Sequence, residues 1–88
     1  MDAVYDNDGN EIGNVSLSER QRATLETGAE IVVIYHTPQM LRSVLGEHNG
    51  SFMLRKDGDR VVTTTAAAVK DFVRLQAGIA AARTQEKS

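Results

Sequence analysis

Cysteine is absent from this 88-residue chain, which excludes a disulfide framework and thiolate chemistry and fits a reducing compartment. Aromatic residues number only four, Tyr5, Tyr35, Phe52 and Phe72. Their positions match a core, so no stacking platform for single-stranded nucleic acid is expected. Long apolar runs are missing as well, for no stretch approaches the roughly 20 residues needed to span a bilayer. Met1-Asp2-Ala3-Val4 carries neither the basic region nor the apolar run of a leader, and the expectation is a soluble, unprocessed, cytoplasmic protein without membrane contact. No phosphate loop and no nucleophile elbow occurs. The only histidines, His36 and His48, stand twelve residues apart, without the three or four clustered ligands that zinc requires. Neither metal, cofactor nor small-molecule substrate is predicted.

What remains is an ordinary globular composition. Hydrophobic residues make up 41% and charged residues 25%, too balanced for intrinsic disorder. A chain this short removes only about 60 to 65% of its unfolded surface from water, so its core is small and open to completion by a partner. The net charge of −2 is unevenly spread. Residues 1–30 hold seven acids against two bases, and residues 31–88 hold five acids against eight bases, an asymmetry able to orient the molecule against a charged surface or a second copy.

Residues 3–15 alternate loosely around Asn7-Asp8-Gly9-Asn10 and predict a β-hairpin, since Asp-Gly supplies the positive φ of a tight turn. Ser16, three residues before Glu19, has the spacing of a capping box, with Ser18 as a rival cap. A helix of about ten residues follows and stops near Gly28. Ile31 to Tyr35 are consecutive apolar residues, the pattern of a strand covered on both faces and therefore central, with a parallel pairing open to it. Thr37-Pro38 predicts a capped helix with Met40, Leu41, Val44 and Leu45 on its apolar face. A second hairpin turns at Asp57-Gly58, and a last helix starts near Thr64 or Thr65 and runs through Val69, Phe72, Val73, Leu75 and Ile79. Gly78 costs that helix about 1 kcal/mol relative to Ala, so the helix either packs closely there or frays. The prediction is a small single α+β domain over residues 1–82, with the order hairpin, α, β, α, hairpin, α and helices on a mixed sheet. Residues 83–88 read as a polar tail.

Four groupings bear on function. Asp6, Asp8, Asn10 and Glu11 are clustered oxygen donors, but the glycine falls at the fourth position from Asp6 instead of the sixth that a calcium loop uses, and a plain turn is expected. Tyr35, His36 and Thr37 end a strand, without an acid placed by sequence to orient the ring, so His36 reads as a hydrogen-bonded structural histidine. Arg55, Lys56 and Arg60 bracket the second hairpin, with Arg42, Lys70 and Arg74 on neighbouring helices. If they converge, they make a basic prong for phosphate or an acidic surface. Phe72, Leu75 and Ile79 spread over more than one face of the last helix, the pattern of a helix with a second contact.

The run Lys56-Asp57-Gly58-Asp59-Arg60-Val61, followed by Thr65, Val69 and Asp71, resembles the W-type head-to-tail joining proteins of tailed phages. Those small helix, hairpin, helix proteins sit between portal and tail and have no enzymatic activity. The likeness covers the hairpin and last helix. That family opens on one long helix, whereas residues 1–36 here predict a hairpin, a helix and a strand. The resemblance implies a virion or phage-encoded assembly component, with Arg55, Lys56 and Arg60 as contact residues.

The sequence thus points to a non-catalytic adaptor or assembly component that binds a protein or itself. Its expected interface is Arg55, Lys56 and Arg60 of the hairpin with Phe72, Leu75 and Ile79 of the last helix. The alternative is a small nucleic-acid-associated regulator acting through basic residues between 42 and 74.

Overall fold

In the computed structural model, which describes residues 1–86, two hairpins and a lone strand form one five-stranded sheet. The strands are β1 (Asp2–Tyr5), β2 (Glu11–Val15), β3 (Ile31–His36), β4 (Asn49–Asp57) and β5 (Arg60–Val62). Helix α1 (Glu19–Glu26) joins β2 to β3, and a short helical turn (Gln39–Leu41) running into α2 (Arg42–Leu45) joins β3 to β4. The chain closes with α3 (Ala66–Glu86). This is the expected α+β domain in the expected element order. Helix α3 continues through residues 83–86 of the segment read as a polar tail, and residues 87 and 88 lie outside the described residues.

The sheet order is β2-β1-β5-β4-β3. Neighbours are antiparallel except β1 and β5, which run parallel in register Val4↔Val61 and Tyr5↔Val62. Both Asp-Gly turns form as expected, with φ +87° at Gly9 and +66° at Gly58, a conformation glycine adopts without the Cβ penalty. Two expectations for β3 are corrected. It is an edge strand instead of the central one, and it pairs antiparallel with β4 in the register Ile31↔Leu54 through His36↔Asn49.

Alternation then decides which side chains are covered. Val4, Val15, Phe52, Leu54 and Tyr35 point to one sheet face, where they meet Leu25 of α1 and Val69 and Leu75 of α3. Two ion pairs, Arg22 with Asp2 and Lys56 with Glu26, tie α1 to the sheet. Strand β5 is shorter than β4, and hydroxyl groups continue the pairing. The Thr63 hydroxyl donates to the Met53 carbonyl at 2.6 Å, and the Met53 N–H donates to the Thr65 hydroxyl at 3.2 Å. Thr65 also accepts from the first turn of α3, through the N–H groups of Ala68 and Val69.

The caps differ in detail from the sequence expectation. Ser18, the rival candidate, caps α1: its hydroxyl accepts from the Gln21 N–H at 3.1 Å and the Gln21 side chain accepts from the Ser18 N–H at 2.9 Å. Thr37 caps nothing. It is buried, and its hydroxyl accepts from the His48 N–H at 2.8 Å while its own N–H donates to the His48 carbonyl at 2.9 Å. The expected apolar face of the following helix splits accordingly. Leu45 packs against the core, whereas Met40 and Val44 are 85% and 72% exposed. Gly78 resolves toward close packing, since a Cβ there would stand 2.9 Å from the Leu45 Cδ2. Among the described residues no helix is long and apolar enough to cross a membrane.

Candidate functional site

Two features stand out once the fold is built: a polar cluster at one end of the core and an uncovered sheet edge. The cluster forms where α3 crosses the ends of β3 and β4. Tyr35 is buried, and its hydroxyl donates to Asp71 Oδ2 at 2.9 Å. His48 Nδ1 meets Asp71 Oδ1 at 2.7 Å, and its Nε2 meets the Leu45 carbonyl at 3.0 Å. Both ring nitrogens are thus engaged with oxygen atoms inside the chain. Hydrogen bonds from Tyr35 and then His48 hold the Asp71 carboxyl below the usual carboxylate range. Burial, reinforced by the carboxylate it faces, pushes the Tyr35 phenol up to about 12. A phenol so raised is a poor proton donor near neutrality. The chemistry available to this cluster is that of a clamp fastening α3 to the sheet.

Asp71 is the acid that sequence reasoning missed, because its partners lie 36 and 23 residues away. The grouping of Tyr35, His36 and Thr37 does not converge. Alternation sends His36 to the face opposite Tyr35, where it is exposed, and the hydrogen-bonded structural histidine is His48. In the first turn, Asp6 spends its carboxylate on the hairpin itself, accepting from the N–H groups of Asp8 and Asn10 at 2.9 Å each. Those bonds, the one from Asn10 foremost, lower its pKa.

The residues expected at an interface are also distributed by the alternation. Lys56 points to the helix-covered face and meets Glu26. Arg55 and Arg60 lie on the other face, with the Arg60 guanidinium 4.6 Å from the centre of the Tyr5 ring. Arg42 sits on α2, and Lys70 and Arg74 line a cleft with Asp6 and Glu11. The basic residues are spread over both sides of the sheet, and acids accompany several of them. Phe72 meets Tyr35 edge-on and Phe52 at a tilt, with ring centroids 5.4 and 5.3 Å apart. Leu75 is 3% exposed and Ile79 packs against the same core. These three side chains of α3 are thus directed at the core, with Leu75 buried and Phe72 and Ile79 half-buried.

Besides Met1, Met40 and Val44, the exposed large apolar side chains of the described residues lie on β3 and its neighbour β4. Val32 and Ile34 are 57% and 78% exposed on the face away from the helices, beside Met53. Because the Met53 N–H and carbonyl turn toward Thr65 and Thr63, Val32↔Met53 is a non-hydrogen-bonded pair. In an antiparallel ladder bonded and non-bonded pairs alternate. The N–H and carbonyl groups of Val32, Ile34 and His36 consequently point to the open side of the edge strand, where no described residue pairs with them. Nothing charged interrupts the strand between Glu30 and His36. The opposite edge, β2, is shorter, begins at Glu11 and has a register irregularity where β1 pairs with it at Val4/Tyr5. Bulges, charges and shortness are the devices that blunt an edge. Only β2 has them.

Compared with known proteins, the chain matches no family model, no curated protein and no solved structure.

Proposed function

We propose that this chain is a non-catalytic binding protein, an adaptor or assembly component, that joins its partner by extending the sheet at β3. The observation that carries the reading is an unblunted edge strand whose outward backbone groups have no partner among the described residues and whose outer side chains, Val32 and Ile34, are apolar and exposed. Main-chain hydrogen bonds to a partner strand would supply affinity there, and the alternate side chains specificity. The non-catalytic part of the reading is supported by the polar cluster, in which the Tyr35 hydroxyl and both His48 nitrogens are engaged inside the chain. A phage particle is one setting for such a component, following the resemblance of the second hairpin and last helix.

The test compares capture of partner protein, the chain itself included, by wild type, Ile34→Lys and the control Asn14→Lys on the opposite edge. All three are first shown to be folded by circular dichroism. A lysine on an open edge strand opposes strand addition. The expected result is a partner retained by wild type and Asn14→Lys and lost by Ile34→Lys. Equal retention by all three, or none by any, overturns the reading.

A further inference from the structure

We infer that the occupant of the β3 edge is a second copy of the chain, paired antiparallel about a two-fold axis through Val33 to make one continuous ten-stranded sheet. This rests on the edge-binding reading above and adds its partner and register. The argument comes from the segment Glu30-Ile31-Val32-Val33-Ile34-Tyr35-His36. A two-fold antiparallel pairing is self-complementary, so each residue i meets a fixed partner j and j meets i. Outward-facing backbone groups belong to the even-numbered residues, which limits the axis to a few positions.

With the axis through Val33, Val32 faces Ile34 of the second copy, and Glu30 faces its His36. Apolar meets apolar, and acid meets the one exposed basic ring of the strand. Met53 of each copy flanks the Val32 and Ile34 side chains on the same face. With the axis moved to Ile34, His36 falls against Val32, and Glu30 against Pro38, which has no N–H to give. With the axis at Val32, Glu30 falls against Ile34 and its charge is set into the apolar strip. Apolar pairs, and a carboxylate facing a ring that can donate to it, stabilise a sheet while mismatched pairs do not, and a register slip changes every pair at once. Only the Val33 axis matches all positions. Glu30 also continues the β3 register opposite Arg55 on its own sheet, so it would stand between that guanidinium and the incoming histidine. Only the histidine is contributed by the second copy.

The absence of cysteine makes the register directly readable. Single-cysteine variants are oxidised under mild conditions and the covalent dimer quantified. In the Val33 register the two thiols of Val33→Cys form a non-hydrogen-bonded pair with Cα atoms about 4.5 Å apart, within reach of a disulfide. Val32→Cys alone and Ile34→Cys alone place like thiols diagonally, beyond about 7 Å, and stay reduced. Mixed together they form the heterodimer. Val32 and Ile34 are exposed, so this mixture reports the register even if Val33→Cys disturbs folding. Sedimentation equilibrium supplies a second reading: His36→Glu sets an acid opposite Glu30 twice per dimer and is expected to weaken self-association about fivefold or more. A sedimentation mass that stays monomeric up to millimolar concentration overturns the inference, and so does a dimer that cross-links through Ile34→Cys alone. If the protein is monomeric while Ile34→Lys still abolishes capture of another protein, the second-copy inference fails and the edge reading stands. If capture is indifferent to Ile34→Lys, both fail.

Discussion

Asp71 holds two partners at once, and its loss is felt at both. The linkage signs follow from the two shifts. The Tyr35 phenol is raised in the folded state, so its contribution is complete below the ordinary value of 10.0 and is lost as pH rises toward about 12. The Asp71 carboxyl is lowered, so its contribution is present above the ordinary value of 3.8 and is lost as pH falls through the folded value. Ultraviolet titration of the two tyrosines is expected to show one phenolate appearing only near pH 12, and that late step to vanish in Tyr35→Phe. Urea unfolding of Tyr35→Phe should show a loss of about 1 kcal/mol, the net worth of one buried hydrogen bond. Gly50 makes a related prediction, because a Cβ at that position would lie 2.5 Å from the Tyr35 hydroxyl and 2.8 Å from its ring. The ring is pinned by Asp71 and by Phe52 and Phe72, so it has nowhere to move. Gly50→Ala is expected to cost about 1 to 3 kcal/mol by overpacking, read from the denaturation midpoint.

At the scale of elements, the order of helices and strands was legible because it is written in local signals. Asp-Gly turns, a serine before a helix and alternation at Phe52 and Leu54 each act within a few residues. The assignment failed where a signal admits two outcomes. Ser16 and Ser18 both stand three residues before a side chain that can complete the box, Glu19 or Gln21, and spacing cannot separate them. Ile31 to Tyr35 form an unbroken apolar run, which a buried strand and a strand awaiting a partner share. Burial separates the two. The run is covered at Ile31, Val33 and Tyr35 and open at Val32 and Ile34, half core and half surface. Asp71 was illegible for a different reason: nothing within the helix marks it, and its role arises only when the sheet brings Tyr35 and His48 beneath it. Phe72 tests the reassignment of α3 from seam to core. Phe72→Asp sets a charge among Tyr35 and Phe52 and is expected to unfold the domain, seen as lost far-ultraviolet circular dichroism. A folded variant that merely loses association would restore the helical seam.

The whole molecule is less compact than its length suggests. Its radius of gyration is 14.0 Å, against about 12 Å for a compact chain of this size, and residues 80–84 of α3, beyond Ile79, are mostly exposed. A small sheet with one long helix leaves little for a core, and β3 keeps half of its apolar residues on the surface. Sheet extension at that edge completes the hydrogen-bonding ladder and covers Val32 and Ile34 together. A single strand and its side chains make an interface at the small end of the usual range, so association in the roughly micromolar range or weaker is expected, dependent on concentration.

The most direct measurement is residue-resolved amide hydrogen exchange by NMR over a hundredfold range of protein concentration. The N–H groups of Val32, Ile34 and His36 are expected to exchange freely in dilute solution and to gain protection as concentration rises, while the outward amides of β2 stay unchanged. Protection that never appears, or that appears on β2 instead, would contradict the pairing of two copies at the β3 edge.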